Sequence, residues 1–400
     1  MSEDSPCCPP PSSPAPKSSC CPPKAPPATA QTCCPPTVAK DQAVCCPPPR
    51  VRELPGYRLW PFVGGWLDTP VGAVPQVATR PTWGDRLGRW QMRWGIGRMR
   101  YRIAPGLYAV GRPDAEAPVL VTANYKLSFD SLRRELGGRD LWILVLETQG
   151  INVWCAAGKG SFGTEELVRR VRAVGLDRLV THRRLILPQL GAVGVAAHEV
   201  KNACGFQVLY GPVRAADLPV LLDRGEKALT PAMRRVSFTT LERLALTPVE
   251  LTNMLKTLAW VALVLLVLGG IGPGIFSFSA ALSRGGAAFV SALAGLFAGA
   301  VITPLLLPWL PGRAFAVKGA LVGGLLGLGL GLVYAASWLS LTALAAAVAA
   351  VSSWCAMNFT GSTPFTSPSG VEKEMRRAMP LQAVALLVAG ALWLAGAFTG

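Results

Sequence analysis

The stretch best suited to chemistry is Gln149-Gly150-Ile151-Asn152-Val153-Trp154-Cys155-Ala156-Ala157-Gly158-Lys159-Gly160. A thiol acts as nucleophile or soft-metal ligand in its thiolate form, and the first turn of a helix favours that charge. Asn152 is a good N-cap residue, which places Cys155 in such a turn. Ala156, Ala157 and Gly158 leave a small, smooth surface beside the sulfur that a large flat cofactor can approach closely, and Lys159 adds positive charge within a turn. Phosphate patterns fit poorly. A P-loop needs Gly where Val153 stands and Ser or Thr where Gly160 stands. Gly158-Lys159-Gly160-Ser161-Phe162-Gly163 matches the dinucleotide spacing but begins well past the strand it should close, and Asp177 lies too near for the ribose carboxylate. An ordinary buried thiol beside a tight turn is the plain alternative for Cys155.

A second thiol pattern lies at the N-terminus. Eight of the eleven cysteines fall before residue 50, as Cys7-Cys8, Cys20-Cys21, Cys33-Cys34 and Cys45-Cys46, each followed by Pro-Pro. The surrounding Pro, Ser and Ala cannot bury enough apolar surface to order the chain. Residues 1–50 therefore read as a disordered arm suited to capturing soft metal ions such as Hg(II), Cu(I) or Zn(II); a variable tail without a specific task is the alternative. No apolar signal-peptide core is present, so reduced thiols are expected. Cys204 and Cys355 read as small packing residues.

The elements that must position Cys155 lie in residues 51–250. Pro118–Thr122 and Leu141–Glu147 read as buried strands, with further apolar runs at Arg183–Leu187 and Phe206–Tyr210. A capped helix is expected from Thr164 to about Val174, and another over Val195–Ala203. Strands alternating with helices imply a parallel, doubly wound, Rossmann-like α/β sheet. The Cys155 stretch then sits at the C-terminal edge of that sheet, where open α/β folds bind ligands. Residues 51–105 are rich in Trp, Arg and Gly without a clear period. Thr122, Asn124, Pro188, Gln189, Gly211 and Pro212 fall at or just past strand ends and are candidates for lining a ligand.

Residues 251–400 form a different solvent class. The whole chain is 51% hydrophobic and 16% charged, against about 25% charged for a soluble globule, with a mean hydropathy of +0.37. Spans are expected near 255–275, 286–307, 317–335, 338–357 and 380–398, giving an all-α transmembrane domain of five helices. Their Gly- and Ala-rich faces suit close packing. Lys256, Arg313, Lys318, Lys373, Arg376 and Arg377 fall on one side and Arg284 on the other. The positive-inside rule then puts residues 51–250 in the cytoplasm and the C-terminus outside the inner membrane. The formal charge of +16 is spread out, which suits an anionic lipid surface and gives no nucleic-acid motif. This composition excludes a purely cytosolic enzyme.

The run Asn152-Val153-Trp154-Cys155-Ala156-Ala157-Gly158-Lys159 resembles the cap-helix signature of the mercury-methylating corrinoid proteins, the HgcA family. Val121–Asp130, Leu185–Val200 and Val208–Arg214 resemble matching segments of corrinoid iron–sulfur proteins, so the likeness covers about residues 55–250. The resemblance implies a corrinoid (cobalamin or another cobamide) bound base-off by Asn152 to Lys159, with the Cys155 thiolate as lower axial ligand of cobalt. A thiolate trans to a methyl group favours its departure as a carbanion equivalent, which the electrophile Hg(II) requires. The histidine-ligated corrinoid pattern Asp-x-His-x-x-Gly is absent, and neither His182 nor His198 stands in it. Implied partners are a ferredoxin with two 4Fe–4S clusters, a methyl-donor protein or methyltetrahydrofolate system, Hg(II) and membrane lipid. Two other readings stay open: a membrane-bound corrinoid methyl carrier of one-carbon metabolism, and a soft-metal binding or transport protein.

Overall fold

The computed structural model describes residues 60–334, 337–363 and 366–399. The eight paired cysteines and the proposed arm lie outside the described residues. The chain begins with a hairpin, β1 (Val63–Thr69) and β2 (Gly72–Val77), then a helix, α1 (Trp83–Arg93). Next come β3 (Gly106–Val110), β4 (Val119–Ala123), α2 (Lys126–Arg134) and β5 (Leu141–Leu146). The short α3 (Val153–Gly158), α4 (Thr164–Ala173) and α5 (Leu176–Leu179) lead to β6 (Arg184–Leu187). A 3-10 turn (Gln189–Val193), α6 (Ala197–Cys204), β7 (Gln207–Tyr210) and α7 (Leu218–Arg224) complete this half.

The seven strands form one sheet in the order β1-β2-β3-β5-β4-β6-β7. The expectation of a parallel sheet holds for β5, β4, β6 and β7. It fails at the other side, where β3 runs antiparallel to β5 and β1 pairs antiparallel with β2. The four parallel strands are nearly continuous apolar runs because both their faces are covered. In β5, Trp142, Leu144 and Leu146 enter one core with Val168 and Val200, while Leu141, Ile143 and Val145 enter the other with Phe129 and Leu221. β1 to β3 and α1 escaped the periodicity argument because β1 and β2 are only half covered and α1 is oriented unlike an ordinary surface helix.

The order places β4 between β5 and β6. After β4 the chain turns to the face of α2, whereas after β6 it turns to the face of α6. Neighbouring strands that send their connections to opposite faces leave a crevice at their carboxyl ends. Helix α4 begins at Thr164 as expected, but its N-cap is Gly163 without a side-chain cap, and the Thr164 hydroxyl accepts from the Ala196 N–H at 2.9 Å.

The second half holds α8 (Thr240–Leu244), α9 (Thr247–Gly269) and further long helices. Five stretches are long and apolar enough to cross a membrane: Thr240–Gly269, Phe278–Leu306, Phe315–Tyr334, Trp338–Gly361 and Ser369–Thr399. The third ends at Tyr334 and the fourth begins at Trp338, where Ser337 caps the helix by accepting from the Ser340 N–H. Glycines mediate the packing of these two. A Cβ on Gly319, Gly323 or Gly327 would press into Ser352, Val348 or Ala345 of the facing helix. Phe359, near the end of the fourth stretch, lies beside Phe238 with ring centroids 6.3 Å apart, so that end packs against the segment that precedes α8.

Candidate functional site

The crevice is real and has a volume of about 430 Å³. Its walls include Thr122 from β4, Tyr125, Ser128 and Leu132 from the start and body of α2, Leu187 and Pro188 after β6, and Pro212 after β7. Asn152, Val153 and Trp154 form its upper edge. Such a volume lies in the usual range for small-molecule sites, and the lining is mostly apolar with a few polar groups. Trp154 is partly exposed, and Cys155, one residue further, is half-buried.

Asn152 caps α3 as expected: its side-chain oxygen accepts from the Cys155 N–H at 2.8 Å. The sulfur-bearing residue is thus tied by its own backbone to the crevice edge. Ala156 and Ala157 face inward, so the open, smooth surface expected beside the sulfur is supplied by Gly158 alone. The alanines are small for another reason. Gly194, at the end of the 3-10 turn, packs so closely that an added Cβ would stand 3.0 Å from the Ala157 Cα and collide with the Phe162 carbonyl. Lys159 is the exposed C-cap of α3.

The loop that enters α3 is strained and heavily held. Gln149 and Gly150 both take left-handed backbone, at φ 58° and 72°. That conformation costs a non-glycine residue about 1–2 kcal/mol. Asn124 offsets it. This residue is fully buried, and its side-chain oxygen accepts from the Thr148 N–H (3.1 Å), the Thr148 hydroxyl (2.8 Å) and the Gly150 N–H (2.9 Å). Its amide donates to Glu147 Oε1 at 2.9 Å, and the same oxygen accepts from the Gln149 N–H at 2.6 Å. The Glu147 N–H in turn donates to Glu166 at 2.8 Å. Asn124 therefore shapes the loop and does not line the crevice, contrary to expectation. Its side-chain oxygen accepts three hydrogen bonds there, and one of its two amide N–H groups donates to Glu147.

The five other expected positions also divide. Pro188 and Pro212 line the crevice, as does Thr122. Gln189 turns aside and accepts from Arg234 at 3.2 Å. Gly211 packs beneath the site, where an added Cβ would meet Leu221 at 3.2 Å and Ile186 at 3.4 Å. His182 sits at the opposite edge of the sheet, its ring between the Ala117 carbonyl (2.9 Å) and the Arg184 N–H (3.2 Å). His198 is exposed on α6, and the Cys204 thiol donates to the Val200 carbonyl.

Tyr125 is the residue that pattern reading missed. It lines the crevice and is buried, and burial pushes its phenol above the usual range. The guanidinium groups of Arg98 and Arg93 work against that rise. The signal available in the sequence was its position directly after Asn124 at the end of a strand.

Comparisons with known proteins converge on this stretch. Residues 97–221 match the model of the CO dehydrogenase/acetyl-CoA synthase delta subunit family. The gamma subunit of the acetyl-CoA decarbonylase/synthase complex of Methanopyrus kandleri is 32% identical over 30% of this chain and 26% of its own length. The corrinoid/iron–sulfur protein large subunit of Moorella thermoacetica is 29% identical over 29% of this chain and 26% of its own. The gamma subunit from Archaeoglobus fulgidus gives 29% identity over 32% and 27%. The chain thus spans about a quarter of these relatives' length. The match to the family model runs from the turn after α1 into α7 and contains the crevice, the Asn124-held loop and Cys155.

Proposed function

We propose that the protein is a membrane-anchored corrinoid methyltransferase that transfers a methyl group to Hg(II), yielding methylmercury. The observation that carries this reading is Cys155, set on an Asn152-capped helix at the rim of a switch-point crevice, within the stretch that matches the CO dehydrogenase/acetyl-CoA synthase delta subunit family. The residues fit a large flat cofactor: the rim is apolar, the sulfur is half-buried at its edge, and Asn124 and Gly194 hold the cap helix from beneath. The corrinoid, when bound, would supply a methyl group on cobalt, and the Cys155 thiolate would hold that metal.

The chain's own residues do the positioning. As a thiolate, Cys155 would donate electron density to the cobalt it holds, which would suit delivery of the methyl group as a carbanion equivalent to the electrophile. Asn152 to Lys159 present that sulfur, and Thr122, Pro188 and Pro212 contact the cofactor's rim. Electrons for resetting cobalt come from outside, from a ferredoxin with two 4Fe–4S clusters, and the methyl group from a corrinoid- or folate-linked donor. The five apolar stretches anchor the sheet domain on the cytoplasmic side of the inner membrane, with the C-terminus outside. The Cys-Cys-Pro-Pro arm captures Hg(II) for the site.

The relatives' names favour one rival, a membrane-bound corrinoid methyl carrier serving acetyl-CoA chemistry. The test is anaerobic loading of the full chain with a corrinoid. A base-off spectrum that changes in Cys155→Ala, followed by methylmercury formation on adding Hg(II), supports the proposal. Corrinoid uptake with methyl exchange to a carrier but none to Hg(II) leaves the rival. A spectrum indifferent to Cys155 defeats both as written. Deleting residues 1–50 should slow the reaction only at limiting Hg(II).

A further inference from the structure

Helix α1 is built inside out for a soluble helix. It buries Asp85, Gly88 and Met92 and exposes Trp83 (82%), Leu87 (59%) and Trp90 (65%); Trp94, just past its end, is also exposed. Steps of four, three and four residues put these four side chains on one stripe. Arg86 and Arg93 flank the stripe, and Arg98 and Arg100 follow it, all exposed.

The orientation is enforced from the buried side. Asp85 closes a capping box with Thr82 and pairs with Lys126 and Arg133, each at 2.7 Å. Gly88 lies directly on the Tyr101 hydroxyl, where any side chain would collide. The tryptophans therefore cannot roll inward. The stripe also ends beside the first apolar stretch. An added Cβ on Gly95 would sit 3.3 Å from Val249 and 3.5 Å from Thr252 of α9. Within about two turns further along α9, Leu255 and Trp260 begin its own exposed apolar surface, which continues through Leu263, Val264 and Val267.

We infer that the Trp83–Leu87–Trp90–Trp94 face lies in the headgroup layer of the bilayer that α9 enters, with the flanking arginines on anionic lipid phosphates. Tryptophan is the residue of membrane interfaces, arginine supplies charge complementarity, and the stripe adjoins the apolar surface of α9. The inference rests on the reading of the five apolar stretches as spans. It adds a second contact with the membrane, made by the sheet domain itself through the helix that its buried ion pairs hold.

The test uses the full chain in nanodiscs of phosphatidylcholine and phosphatidylglycerol, with some lipid brominated high on the acyl chains. Tryptophan emission is compared between the wild type and the double variant Trp83→Phe, Trp90→Phe. The difference spectrum isolates the two α1 tryptophans. We expect that component to be blue-shifted and quenched by more than half in brominated lipid, and to resist iodide. A component quenched by iodide and not by bromine overturns the inference, because the face is then in water. Resistance to both also overturns it, because protein then covers the face. Emission remaining in the double variant includes Trp260, Trp338, Trp354 and Trp393. If bromine fails to quench that as well, the span reading itself has failed.

Discussion

Asn124 and Lys126 stand two residues apart at the end of β4 and hold two different parts of the molecule by two different kinds of force. Asn124 is neutral and organises the loop that carries Cys155, through four hydrogen bonds. Lys126 is charged, fully buried, and pairs with Asp85 (2.7 Å) and Asp130 (2.6 Å). Arg133 pairs with the same two carboxylates, each at 2.7 Å. The Lys126 ammonium also lies 4.7 Å from the Trp60 ring centre and 5.1 Å from that of Tyr101. The neutral set fixes geometry within a few residues of the site. The ionic set joins α1 to α2 across the fold, and two acids matched by two bases leave no net charge buried. Tyr125, between them in sequence, faces the crevice.

Breaking the ionic set should have the largest effect. Removing one partner strands a buried charge, so Asp85→Asn is expected to destabilise the sheet domain by about 3–5 kcal/mol. Hydrogen exchange of the α1 amides would register this, and unchanged protection would show the pairs to be dispensable. The same residue predicts a pH dependence. Burial alone would raise the Asp85 pKa, but hydrogen bonds from Lys126, Thr82 and Arg133 hold it well below its ordinary value of 3.8. Its contribution is therefore complete above about pH 5 and is lost as pH falls through the acid range. Wild-type stability should drop over that range, and the Asp85→Asn variant should show a flatter profile.

The neutral set should answer differently. Asn124→Ala leaves buried N–H groups of the loop unpaired, at about 1–3 kcal/mol, and should weaken corrinoid uptake while α1 stays protected. Asn124→Asp sharpens the contrast. It keeps the acceptor but sets a carboxylate against Glu147, so uptake should be poor at neutral pH and partly recover in acid, when the pair shares a proton. Equal loss at every pH would show that Asn124 does not work through Glu147.

Smaller still is the packing beneath α3. Gly194→Ala should cost about 1–3 kcal/mol by driving a methyl group into the Phe162 carbonyl and the Ala157 backbone of the cap helix. Its mark would be a changed spectrum of the bound corrinoid with the α1 amides unaffected. Smallest is Gln149→Gly, which relieves a left-handed residue but loosens the unfolded chain, for a net gain below about 1 kcal/mol. A denaturant midpoint would show the sign, and a loss of stability would mean that the Gln149 side chain contributes something that its backbone does not.

Much of this was legible in residue order. The four parallel strands declared themselves as apolar runs, because strands covered on both faces need no polar alternation. The five apolar stretches followed from length and hydropathy, since a bilayer demands about 20 residues per helix. The cap was readable too, because Asn at an N-cap is a local interaction spanning three residues. What only the tertiary structure decided were contacts between distant segments. Whether Asn124 faced a ligand or the loop depended on where β5 delivered Thr148 and Gly150. Gln189 and Gly211 left the crevice wall because Arg234 and Leu221 arrived beside them. The role of α1 was hidden for the same reason. Its stripe of tryptophans looks like a core face until Asp85 is seen anchored to Lys126 and Arg133, some 40 residues away and more, and a side chain's periodicity cannot say which of two faces its distant partners will hold.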